Sequence, residues 1–230
     1  GIENTSPTRS SGGKRQEGGS VRLFPSIASS NCLAYGRELE RIREWRTLHV
    51  DIEDGNFTPN ITFGLKTAKA ICGEAAGKDI QVHLMTTEPG RYVEALASYG
   101  VKTVFAHIEA LDYPMVFINL CHQLGMEAGL AFNIKTPVSS AEPFYPLIDA
   151  VLVMTSEPDG GGECVYRPAV EKALRAIESV PKGVKVVTDG GLRGPEVAQL
   201  TAAGAYGTVL GRLVFEANDP MEVLKNLEGW

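Results

Sequence analysis

Two histidines and two aspartates stand at the ends of three short apolar runs: His49 and Asp51 in RTLHVDIED, His83 in DIQVHLM, and Asp189 in VKVVTDGG. Imidazole nitrogens mixed with carboxylate oxygens suit a borderline divalent cation, zinc first, with manganese, iron and cobalt taking the same donors. The four converge on one ion only if the three runs are strands of one parallel barrel. Parallel α/β folds build their sites at the C-terminal ends of strands, where these residues stand. Asp51 and Asp189 also suit a second chemistry. Carboxylates on opposite faces of one carbon can remove a proton from one side and return one to the other, which is what epimerisation requires. A cation between them would stabilise the enediolate formed when a proton leaves the carbon beside a carbonyl. The plain alternative is that Asp51 caps a loop and Asp189 opens an Asp-Gly-Gly turn.

Glycines mark three later loops: Pro158-Asp159-Gly160-Gly161-Gly162 after the sixth run, Gly190-Gly191 after the seventh, and Gly211-Arg212 after the eighth. Glycine lets backbone N–H groups approach a phosphate closely, and barrels often build phosphate sites from the loops after their last strands. Three such loops in succession point to an anionic group. Arg212 could add a guanidinium fork, against the plainer reading of a solvated charge at a helix start. Met85 and Met154 are either core filler or a polarisable wall that keeps water from the reacting carbon. His107, in FAHIEA, is a further residue of the mouth, ranked as a substrate contact. His122 falls inside a helical segment and is discounted.

The elements that must position these residues alternate along the chain. Strand-like runs fall at 22–27, 47–52, 80–85, 103–108, 128–133, 150–154, 184–188 and 208–210. Helical periodicity fills segments such as LAYGRELERIREW, GRYVEALASYG, RPAVEKALRAIESV and GPEVAQLTAAG. Gly100, Gly125 and Gly204 sit where helix C-terminal turns would fall. Eight near-continuous apolar strands, each followed by a helix or helical turn, predict an α/β fold. The expected architecture is a closed (β/α)8 TIM barrel as a single domain over 21–230. A doubly wound open sheet is the alternative, but no G-x-G-x-x-G follows the first strand. Residues 1–20, rich in Gly, Ser and charge, read as a flexible leader.

A net charge of −6, with no basic run beyond the first twenty residues, excludes a nucleic-acid surface. No apolar stretch is long enough to span a bilayer, so no membrane partner is expected. The cysteines Cys32, Cys72, Cys121 and Cys164 lack paired spacing and read as reduced packing residues of a cytoplasmic protein.

In order and in register, HVDIEDGNFTPNITFG, VHLM, HIEA, LVMTSEPDGGG and TDGG resemble the ribulose-phosphate 3-epimerases, from about Pro25 to the C-terminus. The resemblance implies a (β/α)8 barrel that inverts C3 of a ketose phosphate through a metal-stabilised enediolate. It implies His49, Asp51, His83 and Asp189 as the metal ligands, with Asp51 and Asp189 as the acid–base pair. Ser26, in PSIAS, matches a serine near the substrate, and Met85 and Met154 match methionines lining the site. Gly160, Gly161, Gly162, Gly190, Gly191 and Gly211 match the phosphate-binding turns. A small-molecule sugar phosphate is the expected partner, and a homo-oligomer the expected assembly.

Three departures stand out. Glu53 replaces a methionine of the family's HxDxMDG, Asp159 enters the glycine loop, and Arg212 replaces a small polar residue. They mark a divergent branch and bear on the substrate more than on the chemistry. Barrel decarboxylases and aldolases that form enediolates use an Asp-x-Lys-x-x-Asp motif, whose lysine position holds Glu53 here. A sugar-phosphate binder without turnover is the remaining alternative, and the intact Asp51 and Asp189 count against it.

Overall fold

The computed structural model describes residues 22–158 and 165–229. Its strands are β1 (Arg22–Pro25), β2 (Thr47–Glu53), β3 (Asp79–Met85), β4 (Thr103–His107), β5 (Glu127–Phe132), β6 (Ala150–Met154), β7 (Lys185–Asp189) and β8 (Gly207–Leu210). Every pairing is parallel, in the order β1-β8-β7-β6-β5-β4-β3-β2. The ring closes where Ser26 bridges His49, and the Ser26 N–H donates to the Leu210 carbonyl on the other side at 2.8 Å. This is the expected (β/α)8 barrel. The expected leader at 1–20, and Asp159 to Cys164 with the glycines Gly160, Gly161 and Gly162, lie outside the described residues.

Around the barrel run α1 (Tyr35–Arg41), α2 (Leu65–Glu74), α3 (Gly90–Ser98), α4 (Pro114–Gln123), α5 (Arg167–Ser179), α6 (Gly194–Ala203), α7 (Arg212–Phe215) and α8 (Pro220–Glu228). Between β5 and β6 the covering segment is a 3₁₀ helix, Val138–Phe144. Pro143 lies inside it, and a proline interior to an α-helix removes a hydrogen bond and clashes with the preceding turn. Gly100, Gly125 and Gly204 take φ of 79°, 79° and 96°, the left-handed turn that ends a helix before the next strand.

Alternation along the strands divides the protein into two cores. Outward-facing Leu48, Val50, Ile52, Ile80, Val82 and Leu84 join the large apolar layer between barrel and helices. Each such side chain contributes roughly 1.5–3 kcal/mol when fully buried. Inside the barrel, Phe24, Phe105, Ala131, Leu152, Met154, Val187 and Val209 form a second, smaller cluster. Gly129 makes room for it, since a Cβ there would stand 2.3 Å from Phe105 Cδ1. No inward residue of β2 or β3 belongs to that cluster, and the polar interior begins there.

The N-terminal end of the barrel carries a floor of alternating charge. Asp79 meets Arg22 at 2.7 Å and Lys102 at 3.0 Å, and Glu127 meets Lys185 at 2.7 Å. The Tyr206 hydroxyl accepts from Arg22 Nη1 at 2.5 Å. Among the cysteines, Cys72 and Cys121 are buried as expected of packing residues, whereas Cys32 is exposed. It follows an exposed turn at Asn31 and belongs to neither apolar core. No described helix is long and apolar enough to cross a membrane.

Candidate active site

Successive side chains of a strand point to opposite faces, so His49, Asp51 and Glu53 on β2 share the interior with Gln81, His83 and Met85 on β3. The register pairs Asp51 with His83 and Glu53 with Met85. Asp189 arrives from β7, across the barrel. One ligand atom from each of His49, Asp51, His83 and Asp189 lies within 4.8 Å of the others. The four residues that the sequence singled out therefore meet at one point.

The contacts inside the cluster are specific. His49 Nε2 stands 3.1 Å from Asp51 Oδ1 and 3.5 Å from Asp189 Oδ2. His83 presents its other nitrogen, Nδ1, at 3.1 Å from Asp51 Oδ1 and 3.2 Å from Asp189 Oδ2. Behind each ring lies a further partner. Gln81 Oε1 is 3.4 Å from His49 Nδ1, and His107 Nε2 is 2.8 Å from His83 Nε2.

Burial alone would drive His49 toward its neutral form, but the Asp51 and Asp189 carboxylates reverse this and push its pKa up to about 10. His83 is raised too: burial opposes the shift, and the same carboxylates outweigh it. Burial favours the protonated Asp51, yet the two imidazoles hold its carboxyl below the ordinary range. Asp189 is lowered as well, with burial and the neighbouring Asp51 opposing and hydrogen bonds from both imidazoles prevailing. In this arrangement the carboxylates favour protonation of both imidazoles, and the imidazoles favour ionised carboxylates. Two nitrogens and two carboxylate oxygens in this arrangement also fit a divalent cation, whose charge would take the place of the imidazolium protons.

A cavity of about 340 Å³ opens at this end, lined by Ser26, Asp51, Glu53, Met85, Met154 and Asp189 among others. Ser26 Oγ donates to Asp51 Oδ2 at 2.5 Å. Gly190, Gly191, Gly211 and Arg212 line the β7–β8 side of the same cavity. Two of these glycines are sterically required. A Cβ on Gly190 would fall 2.6 Å from the Ser156 backbone nitrogen, at a φ of 130°, and one on Gly211 would fall 2.3 Å from Ser29 Oγ.

His107 is placed differently from the mouth position that the sequence suggested. It is fully buried behind His83, outside the cavity lining, with its Nδ1 3.1 Å from Glu109 Oε2. Burial pushes its pKa down to about 4, against the hydrogen bond it donates to Glu109. His122 pairs with Asp149 at 2.7 Å, away from the site. Sequence reasoning missed Gln81, although it stands two residues from His83 on the same face of β3, and Glu109, which lies in the 3₁₀ turn after β4. Asn60, Thr62 and Ser156 also line the cavity, from loops where no periodicity marks them.

A parallel eight-stranded barrel with two histidines and two aspartates clustered at its C-terminal mouth defines a (β/α)8 protein with a candidate divalent-metal centre. The Ribulose-phosphate 3 epimerase family model matches residues 22–215, and the chain belongs to that family, whose members are isomerases acting on carbohydrates. Ribulose-phosphate 3-epimerase of Schizosaccharomyces pombe is 37% identical over 211 residues, covering 90% of this chain and 92% of that protein. The Bacillus subtilis enzyme of the same name is 31% identical over 215 residues, covering 91% and 99%. The rice protein named ribulose-phosphate 3-epimerase, cytoplasmic isoform, is 34% identical, covering 91% and 95%. Among solved structures, a variant of the tryptophan synthase α-subunit of Pyrococcus furiosus superposes with a TM-score of 0.66. At 16% identity over 91% of this chain and 96% of that one, it supports the barrel fold alone.

Proposed function

We propose that this protein is a metal-dependent epimerase acting at C3 of a ketose phosphate, ribulose 5-phosphate and xylulose 5-phosphate or a related pentulose or hexulose phosphate. The observation that carries the reading is the convergence of Asp51 and Asp189, from opposite sides of the barrel, on two imidazoles beside the cavity. In the forward direction the Asp51 carboxylate takes the C3 proton and leaves an enediolate. Asp189, protonated for this half of the cycle, then delivers a proton to the opposite face of C3, inverting it, and proton exchange of the two carboxyls with solvent restores Asp51 as carboxylate and Asp189 as acid. In the reverse direction the two carboxyls exchange roles. Ser26, donating to Asp51 Oδ2, holds that carboxylate in rotation. Met85 and Met154 form the apolar part of the wall around the reacting carbon.

His49, Asp51, His83 and Asp189 would hold the divalent cation, zinc by donor set, with manganese, iron or cobalt suited to the same ligands. When bound, such a cation supplies positive charge that offsets the negative charge growing on the enediolate oxygens. The phosphate lies in this reading against Gly190, Gly191 and Gly211, with Arg212 adding its guanidinium, and Gly160, Gly161 and Gly162 are proposed as further phosphate contacts from the resemblance of their run to the family's turn. The proposed setting is the cytoplasm, supported by the unpaired spacing of the cysteines and by the naming of the rice relative, and a homo-oligomer is proposed from the family resemblance alone.

The test is proton NMR of the metal-replete protein with ribulose 5-phosphate in deuterated water. The C3 proton signal should disappear as xylulose 5-phosphate accumulates. Stoichiometric metal binding without exchange would overturn epimerisation of this substrate and leave another ketose phosphate, or binding alone.

A further inference from the structure

Behind the four candidate ligands runs a line of hydrogen bonds that neither proton transfer nor substrate contact uses. It begins at the loop after β5, where the Asn133 backbone N–H donates to Glu109 Oε1 at 2.8 Å. Glu109 Oε2 faces His107 Nδ1 at 3.1 Å, and His107 Nε2 faces His83 Nε2 at 2.8 Å. The loop that starts the line is itself clamped. Lys172 on α5 donates to the carbonyls of Asn133 at 2.8 Å, Ile134 at 3.2 Å and Thr136 at 2.5 Å.

We propose that Glu109 and His107 are positioning residues that act in series to fix the tautomer and ring plane of His83, so that its Nδ1 presents a lone pair to the cation. The inference rests on the reading that His49, Asp51, His83 and Asp189 hold a metal. Proton placement follows from one end of the line. A carboxylate has only acceptor atoms, so the nitrogen of His107 that faces Glu109 carries the hydrogen. The other His107 nitrogen is then a lone pair, and His83 Nε2 must carry the hydrogen between the rings. Nδ1 is the nitrogen left to face Asp51, Asp189 and the cation. Reversing either histidine would set two lone pairs or two hydrogens against each other in a space closed to water.

Packing holds the same geometry. His107 stacks on His83 at 4.9 Å between centroids with 24° between planes, and Phe57 lies over His107 at 4.7 Å. His49 has a looser arrangement, a single contact of 3.4 Å to Gln81 on its own outer nitrogen. The relay thus serves one ligand in particular. Outer partners of this kind commonly change metal affinity when removed, by about 10- to 100-fold.

Cobalt(II) titration of the purified, chelator-stripped full chain against a chromophoric competitor tests this, together with the visible spectrum of the bound ion. His107→Phe should weaken cobalt by about 10- to 100-fold and shift its absorption bands. His107→Gln, whose amide oxygen can accept from His83 Nε2, should recover most of the affinity and the wild-type spectrum. Glu109→Gln cannot accept from both Asn133 and His107, and should weaken cobalt about tenfold; it carries the test if the phenylalanine variant fails to fold. Wild-type affinity and spectrum in His107→Phe or Glu109→Gln would overturn the relay. So would equal losses in His107→Phe and His107→Gln, which would indicate packing alone. Failure of the wild-type chain itself to bind cobalt stoichiometrically would instead overturn the metal reading on which the relay rests.

Discussion

Asp51 divides its two oxygens between two tasks: Oδ2 accepts from Ser26 Oγ at 2.5 Å, and Oδ1 lies 3.1 Å from both His49 Nε2 and His83 Nδ1. A carboxylate engaged at both oxygens cannot swing out of line. Ser26 is also the residue that closes the barrel between β8 and β2. The backbone joint that completes the fold and the side chain that aims the proposed base are therefore the same residue.

Asp51→Asn and Asp189→Asn should each lower kcat by at least about 10²- to 10⁴-fold, the range for losing a general acid or base. Circular dichroism should show an intact barrel in both. Solvent deuterium exchange at C3 separates the two faces: each variant should lose exchange first from the epimer whose proton its missing carboxylate removes. Wild-type turnover in either purified variant would refute the two-base scheme.

The pH dependence of the metal-free protein follows from the direction of the shifts. A histidine raised from 6.5 to about 10, as His49 is, contributes stability in full below the lower value and loses it as pH rises through the upper one. Asp51, lowered on folding, works in the opposite sense and loses its contribution only as pH falls below the ordinary carboxylate range. Chelator-treated protein should thus lose thermal stability between about pH 7 and 10. Zinc-loaded protein, with the imidazoles deprotonated by the metal, should not, so the gap in Tm should widen with pH. Differential scanning fluorimetry across that range checks it, and parallel curves would refute it.

Arg212 follows Gly211 into the β8 side of the cavity, where the phosphate is proposed to bind. Arg212→Ala should raise KM by about tenfold while leaving kcat within a few-fold, since a remote phosphate contact is made equally in ground and transition states. Gly190→Ala should raise KM and also reduce stability, because the new Cβ meets the Ser156 backbone at a φ that side chains rarely adopt. Steady-state kinetics with a phosphorylated and an unphosphorylated ketose reads both effects. An unchanged KM for Arg212→Ala removes it from the site.

Glu53 is buried in the wall one pleat beyond Asp51, in register with Met85. The glycines proposed to bind the phosphate line the β7–β8 side of the cavity, so on that reading a carboxylate on β2 would face the other end of a bound ketose. Glu53→Met should shift kcat/KM among ketose phosphates by about tenfold or more, the scale of one buried hydrogen bond to a substrate hydroxyl. A substrate panel that ranks identically before and after the change would show that Glu53 does not select.

Much of this was legible in the chain because strands write their facing into the sequence. Residues 49, 51 and 53 alternate with Val50 and Ile52, and 81, 83 and 85 alternate with Val82 and Leu84, so the interior set could be read off before any pairing was known. What could not be read was depth. His107 ends β4 and His83 stands two residues before the end of β3, yet Phe57 packs over His107 and it lies buried behind His83 instead of at the mouth. Glu109 lies in a 3₁₀ turn, where strand periodicity has lapsed. The segment after β5 carries turn and proline signals that resemble a loop; it forms a 3₁₀ helix with Pro143 inside it and with Val138 and Ala141 buried.

The floor of Arg22, Asp79, Lys102, Glu127, Lys185 and Tyr206, topped by Phe24 and Phe105, plugs the end of the barrel opposite the cavity. Among the described residues, reactant and product on the proposed reading share the doorway at the C-terminal end. On the proposed reading they differ at one carbon and lean on the same anion contacts, so each epimer competes with the other for entry. Net flux then follows the ratio of the two sugars outside, and the enzyme works as a valve open in both directions.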